Sequence, residues 1–262
     1  MDDAPPQEPD PARAQSAQDG PPLFHTLRVE TDGADGPRAA TAFILEYQAE
    51  DNSYPFLVTA RHVVRDAPEG RITFVPERRA RPDLTKGYTL DIENFAKLWF
   101  VHPDPGLDVA VTPFVPFVKH IEDSGIPLYF RPLRRLADDA PGRLLAPLVL
   151  AAYPQGLAGN DELLPFLVEA RVASPRLGDY SGRDRFVVAA PLFPGCAGAP
   201  LLQRQGDGGW ALAGMLAAAF DPDRGLVPLA EAATPGATLG GALRARVCIA
   251  LARAYLKEKG FI

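Results

Sequence analysis

Three short segments carry groups that could act on a substrate. In YPFLVTARHVV, residues 54–64, an apolar run ends at Thr59-Ala60 and His62 follows at its exit. A histidine there is held by a buried strand yet faces a cleft, and its imidazole can take and return a proton near neutral pH. In GLDVAVTPF, residues 106–114, Asp108 opens the apolar run Val109-Ala110-Val111. A partly buried carboxylate at that place needs a partner. In LFPGCAGAPLL, residues 192–202, a Gly-X-X-Gly-X-Pro turn separates two apolar runs. Gly195 accepts φ values closed to other residues, so successive N–H groups can converge on one point, as an oxyanion-binding turn requires. Taken singly, a surface histidine, a strand-capping aspartate and a functionless β-turn are the simpler readings. Their combination is what narrows the chemistry.

The elements that must position these groups are short. From Leu23 onward LFHTLRVE, ATAFILEY, YPFLVTA, RITFVP, AKLWFV and LDVAVTPF recur, each rich in β-branched or aromatic residues and bounded by Gly, Pro, Asp or Asn. They predict six strands before Pro113, enough to close one small barrel. ERRARPD at 77–83 reads as a solvated basic loop. Between Phe114 and Gly142, VKHIEDSG predicts one helical turn and RPLRRLADDAPG a charged, turn-rich connection. Strands resume with LLAPLVLAAYP, PFLVEARVAS, RFVVAAPLF, APLLQR and GWALAGMLAAA; Val168, Ala170 and Val172 alternate with Glu169 and Arg171 as in a half-buried strand. From Leu239 to Lys259, the four-residue recurrence of Leu243, Val247, Leu251 and Tyr255 predicts one amphipathic helix packed across the second barrel. Arg253, Lys257 and Lys259 suit the negative end of its dipole, and Gly260 stops it. The expected organisation is a disordered extension over 1–22, a first barrel with its connection over 23–142, a second barrel over 143–238, and the helix over 239–262.

Composition sets the limits. With 262 residues, 47% of them hydrophobic, the chain can fill one large domain or two small ones. The 28 prolines and 23 glycines suit many short strands joined by turns. A net charge of −6 with no dominant basic face argues against nucleic acid as a partner. Cys196 and Cys248 cannot form a disulfide framework, and MDDAPPQEPD has neither a basic n-region nor an apolar h-region. Both observations predict a reducing cytoplasm. No run approaches the roughly 20 apolar residues a membrane span needs. His25, His62, His102 and His120 show no ligand spacing with cysteines or acids, so neither a metal nor a cofactor is expected.

TARHVV, LDVAV and GCAGAP, in that order, resemble the histidine, aspartate and nucleophile motifs of the trypsin-like (chymotrypsin-fold) serine peptidases, of bacterial intracellular type. The resemblance covers about residues 38–230 and includes VLAAYPQG and WALAGMLAAA, which resemble the first strand of the family's second barrel and the strand following the nucleophile. It implies an all-β fold of two six-stranded antiparallel β-barrels, with the active site between them, plus a C-terminal α-helix. It implies that His62 is the general base, that Asp108 orients it, and that Gly195 and residue 197 supply the oxyanion hole.

The family's nucleophile turn reads Gly-X-Ser-Gly-Gly-Pro; here Gly195, Cys196, Ala197, Gly198, Ala199 and Pro200 stand in those places. Ala197 thus occupies the serine position, and a methyl group has no oxygen with which to attack. Three readings stay open: an enzyme whose serine has been replaced, a natural pseudoprotease that binds without cutting, or Cys196 as nucleophile in a shifted register. The presence of His62, Asp108 and Gly195 favours the first. The third is weak because a one-residue shift points the side chain elsewhere. Cys196 also stands where secreted, zymogen-activated relatives hold an aspartate that pairs with a newly cut N-terminus, which argues against an activation peptide of that kind.

The resemblance further implies a primary pocket with its floor at Pro191 and Leu192 and its wall at Ala217, Ala218 and Ala219. No acid lines it, so a small or medium uncharged side chain is expected there. The expected partner is a protein or peptide substrate. It extends to one dedicated effector, such as a toxin, nuclease or pore-former activated by cleavage in bacterial defence, with neither nucleic acid nor membrane involved.

Overall fold

The short apolar runs of the first half pair as one antiparallel sheet. Its strands are β1 (Thr26–Gly33), β2 (Gly36–Ala49), β3 (Asn52–Thr59), β4 (Glu69–Phe74), β7 (Tyr88–Glu93), β8 (Phe100–Val101) and β9 (Ala110–Pro113), in the order β7-β4-β1-β2-β3-β9-β8. The computed structural model of the protein describes residues 21–33, 36–137, 144–155, 163–175, 179–180, 183–229 and 238–262. The expected extension over 1–22 lies outside them apart from Pro21 and Pro22, as does the end of the inter-barrel connection. The basic loop at 77–83 folds on itself as β5 (Glu77–Arg78) and β6 (Arg81–Pro82), turning through Arg79 and Ala80 at positive φ.

Two features of this half differ from the expectation. AKLWFV makes a 3-10 helix, Phe95–Leu98, and leaves only two residues to pair as β8. YTLDIE, which the sequence reading passed over, pairs with β4 as β7. The outer strands β7 and β8 do not pair with each other, so this sheet is a half-barrel. A single turn of helix, α1 (Arg61–Val64), follows β3, and a two-turn helix, α2 (Val115–Glu122), follows β9. Phe95, Trp99, Phe117 and Ile121 from these short helical segments pack with Val29, Ile44, Leu57 and Ile72 of the sheet.

The second half closes. Strands β10 (Pro147–Ala152), β11 (Phe166–Val172), β12 (Arg185–Ala189), β13 (Pro200–Arg204), β14 (Trp210–Asp221) and β16 (Leu239–Arg244) form a ring through the β13–β14 pairing, and β15 (Gly225–Pro228) extends from β14 as a hairpin. Closure uses the stretch assigned above to the helix. The C-terminal helix, α3, begins at Ala245 and ends at Glu258; Leu239–Arg244 belongs to the barrel, which therefore runs past residue 238. Gly240 and Gly241 account for the correction, because glycine disfavours helix interiors and lets strands approach closely. A Cβ on Gly240 would lie 2.7 Å from Leu216 Cδ1.

Val247 and Leu251 of the four-residue stripe are buried, together with Cys248, Ala252 and Leu256. The helix is not confined to the second barrel. Tyr255 meets Phe56 and Phe100 edge-on at 5.6 and 5.7 Å. One apolar cluster joins α3 to Phe43, Val58 and Val111 of the first half and to Leu202 and Met215 of the second. The all-β, two-barrel architecture with a C-terminal helix holds, as one closed six-stranded barrel and one half-barrel. Among the described residues no helix is long and apolar enough to cross a membrane.

Candidate active site

His62 lies on α1, immediately after β3, and Asp108 lies two residues ahead of β9. The β3–β9 register pairs Thr59 with Ala110, which brings the two side chains to the same end of the sheet. His62 Nδ1 is 2.5 Å from Asp108 Oδ2, and the His62 main-chain N–H donates to Oδ1 at 2.8 Å. A carboxylate only accepts, so Nδ1 carries the proton and Nε2 is left with its lone pair free for proton transfer. Both side chains are largely shielded, at 14% and 18% exposure.

The loop carrying Asp108 is gripped from the second half. Arg185, at the start of β12, donates through Nη2 to Gly106 O. Arg183 Nη1 lies 3.6 Å from Asp104 Oδ1, and its guanidinium occupies the space a side chain on Gly106 would need. Burial, reinforced by the like charge of Arg183, lowers the Arg185 pKa, while the carboxylates of Asp108 and Asp104 favour its charge. No local signal in RDRFVV announces this role, because its partner lies 79 residues away.

The turn at 195–198 needs both of its glycines. Gly195 has φ +107°, and a Cβ there would collide with Tyr153 O. Gly198 has φ +80°, and its Cβ would strike Thr41 O and Thr59 Oγ1, so the turn lies against the interior of β2 and the end of β3, close to Ala60. Pro194 O accepts from Gln155 N–H at 2.7 Å, and Cys196 O accepts from Ala199 N–H at 3.0 Å. In a trans peptide the N–H points opposite to the carbonyl. The N–H groups of Gly195 and Ala197 are thereby turned away from these anchors, and among the described residues neither meets an acceptor. Thr41 and Thr59, which the sequence reading did not single out, supply the surface on which the turn rests.

Ala197 is buried in the cluster shared by both halves, with Val58, Ala60, Val109 and Ala217. Cys196 faces the other way, into the second barrel, fully buried among Ala199, Leu201 and Leu192. Burial pushes its thiol up to about 12, which leaves essentially no thiolate at neutral pH; the shifted-register reading fails on both counts. Of the pocket residues, Leu192 and Ala219 join that same barrel core, while Ala217 sits with Ala197. Ala218 is buried on β14, and Pro191 is exposed.

A family model of the trypsin-like peptidase domain matches residues 40–208. The chain belongs to the trypsin-like peptidase family. Its fold is that of a trypsin-like serine protease. The HtrA-type protease AlgW, in a structure with a tripeptide, superposes on this trypsin-like peptidase with TM-score 0.55 at 16% identity, over 94% of this chain and 64% of that one. The chain thus spans less than two-thirds of that relative's length. HL collagenase superposes with TM-score 0.51 at 12% identity, over 90% and 93% of the two chains. The scabies mite inactivated protease paralogue S-I1 gives 0.50 at 16%, over 89% and 94%. At such identities the likeness is one of fold. No curated protein matches the sequence.

Proposed function

We propose that this is a serine endopeptidase site that cleaves peptide bonds when residue 197 is serine, and that Ala197 leaves it able to bind a peptide but not to cut one. The observation that carries the reading is the 2.5 Å His62–Asp108 contact, found in the same molecule as a turn whose Gly195 and Ala197 amides meet no acceptor among the described residues. The scheme is the family's own acyl transfer, applied to these residues. A serine oxygen at position 197 attacks the scissile carbonyl carbon while His62 Nε2 takes its proton. The N–H groups of Gly195 and residue 197 receive the oxyanion. His62 then returns the proton to the leaving amine, and water releases the acyl group by the same route. Asp108 holds the ring and stabilises the imidazolium that forms.

The substrate is a protein or peptide, entering an apolar primary pocket with its floor at Pro191 and Leu192 and its wall at Ala217 to Ala219. Both cysteines are free and buried, which suits a reducing cytoplasm. In that setting a dedicated protein partner, such as a bacterial defence effector activated by cleavage, fits better than unselective digestion.

A second reading is favoured by Ala197 itself, whose methyl packs into the apolar cluster between the halves: a pseudoprotease that holds its partner without cleavage. Ala197→Ser separates the two. The variant should react with a fluorophosphonate and hydrolyse peptides, and His62→Ala in that background should remove on the order of 10⁴-fold of the activity, because triad members act as a unit. A folded Ala197→Ser protein inert on a broad peptide library would replace the first reading with the second.

A further inference from the structure

Thr41 lies on β2 beyond the last residue pair with β3, Phe43 with Val58. It is fully buried, and all its polar groups are engaged. Its N–H donates to Ala197 O at 3.0 Å. Its Oγ1 accepts from Tyr153 N–H at 3.0 Å and donates to Gly195 O at 2.9 Å. Its own carbonyl accepts from Thr59 Oγ1 at 2.8 Å. Because the hydroxyl is already an acceptor for Tyr153, its proton is directed at Gly195.

The Gly195–Cys196 peptide lies between the two amides that lack acceptors. The planes on either side are anchored by Gln155 and Ala199. Among the described residues, the carbonyl of the middle plane has Thr41 Oγ1 as its partner, and its N–H reaches Phe193 O only at 3.2 Å. Rotation of that plane changes ψ of Gly195 and φ of Cys196, and wherever the two changes do not cancel it re-aims the N–H groups on both sides. Glycine opposes such rotation least.

We infer that Thr41 is a positioning residue for the oxyanion site: from the opposite half of the molecule its hydroxyl pins the Gly195–Cys196 peptide and keeps the N–H groups of Gly195 and residue 197 aimed at one point. The catalytic consequence rests on the peptidase reading above; the pinning does not.

The test has two arms. In the Ala197→Ser protein, Thr41→Val keeps the shape and removes the hydroxyl. It should lower kcat per fluorophosphonate-titrated site by about 10²-fold, the scale set by losing one oxyanion donor, with KM within about threefold. Thr41→Ser should restore kcat to within about threefold of the parent. A merely structural role would reduce the fraction of titratable sites and leave kcat per site unchanged, which would overturn the inference. In the protein with Ala197, Thr41→Val should speed amide hydrogen exchange at Cys196 and Ala199 at least tenfold, and Thr41→Ser should not; unchanged exchange overturns the pinning. Exchange that responds while Ala197→Ser stays inert would sink the peptidase reading and leave the pinning standing. Should Thr41→Val not fold, Thr41→Cys, a weaker donor of similar size, gives the same readouts with an expected kcat loss of about tenfold.

Discussion

Asp108 receives two hydrogen bonds from His62, the main-chain N–H on Oδ1 at 2.8 Å and Nδ1 on Oδ2 at 2.5 Å. One carboxylate therefore sets both where α1 begins and which way the imidazole faces. Position and tautomer of the ring are decided by a single side chain, so a change there strikes both at once.

Asp108→Asn in the Ala197→Ser background tests that coupling. An amide nitrogen facing Nδ1 cannot accept its proton, and the ring is left in the wrong tautomer. The expected loss in kcat is on the order of 10⁴-fold, with circular dichroism unchanged. A loss below tenfold would show that Asp108 does not orient the ring.

In the Ala197→Ser background, Arg185→Met removes one of the second barrel's two holds on the Asp108 loop, the hydrogen bond to Gly106 O, while keeping most of the apolar stem. Misplacement of the loop by about 1 Å should cost about 10²-fold in kcat/KM. Arg185→Lys should fall between, since lysine keeps the charge and loses the planar fork. Turnover equal to that of the Ala197→Ser parent would show that Asp108 is held without the help of Arg185.

Stability should fall in alkali. Burial pushes the thiols of Cys196 and Cys248 up to about 12, from an ordinary value of 9.0. Above pH 9 the unfolded chain releases protons that the folded chain retains, so unfolding becomes more favourable as pH rises. At pH 10 each thiol costs on the order of 1 kcal/mol relative to neutral pH, so the pair costs a few kcal/mol. Tyr153, also raised by burial, adds to the slope at higher pH. Urea unfolding midpoints at pH 8 and 10 measure the effect, and the Cys196→Ala, Cys248→Ala double variant should flatten it. An unchanged slope in that variant would mean that the thiols are not its source.

The primary pocket should reject charge. Asp184 is committed to Arg244 and Arg246, and Asp221 accepts from the N–H groups of its own turn at 3.0 Å. Burying Lys, Arg or Asp of the substrate against Leu192 and the three alanines would leave that charge unpaired, for a selectivity of about 10³-fold against them. Peptides varied only at the residue before the cut, assayed with Ala197→Ser, measure this. A preference for Arg or Lys would show that the pocket lies elsewhere.

The sequence by itself determined what depends on neighbours along the chain. The β-branched and aromatic residues of ATAFILEY and the alternation in PFLVEARVAS specified strands, the four-residue step from Leu243 to Tyr255 specified a helix, and the exit of one apolar run and the start of another marked His62 and Asp108. The glycines at 195 and 198 announced an unusual turn because only glycine fits there. Tertiary structure decided everything that depends on which strands lie side by side. Leu239–Arg244 continues the apolar stripe of the helix and becomes a strand only because β12 and β14 flank it and its glycines leave room for Leu216 and Ala218 of β14 and Leu226 of β15. The half-barrel stays open because its outer strands, β7 and β8, form no seventh ladder with each other. Thr41 and Arg185 looked like ordinary strand residues, since their partners lie 154 and 79 positions away. Cys196 and Ala197 are adjacent in sequence, yet the turn sends one into the barrel and the other to the cluster between the halves. Local sequence sets backbone dihedrals and side-chain periodicity; hydrogen bonds across the cleft exist only once both halves have folded and met.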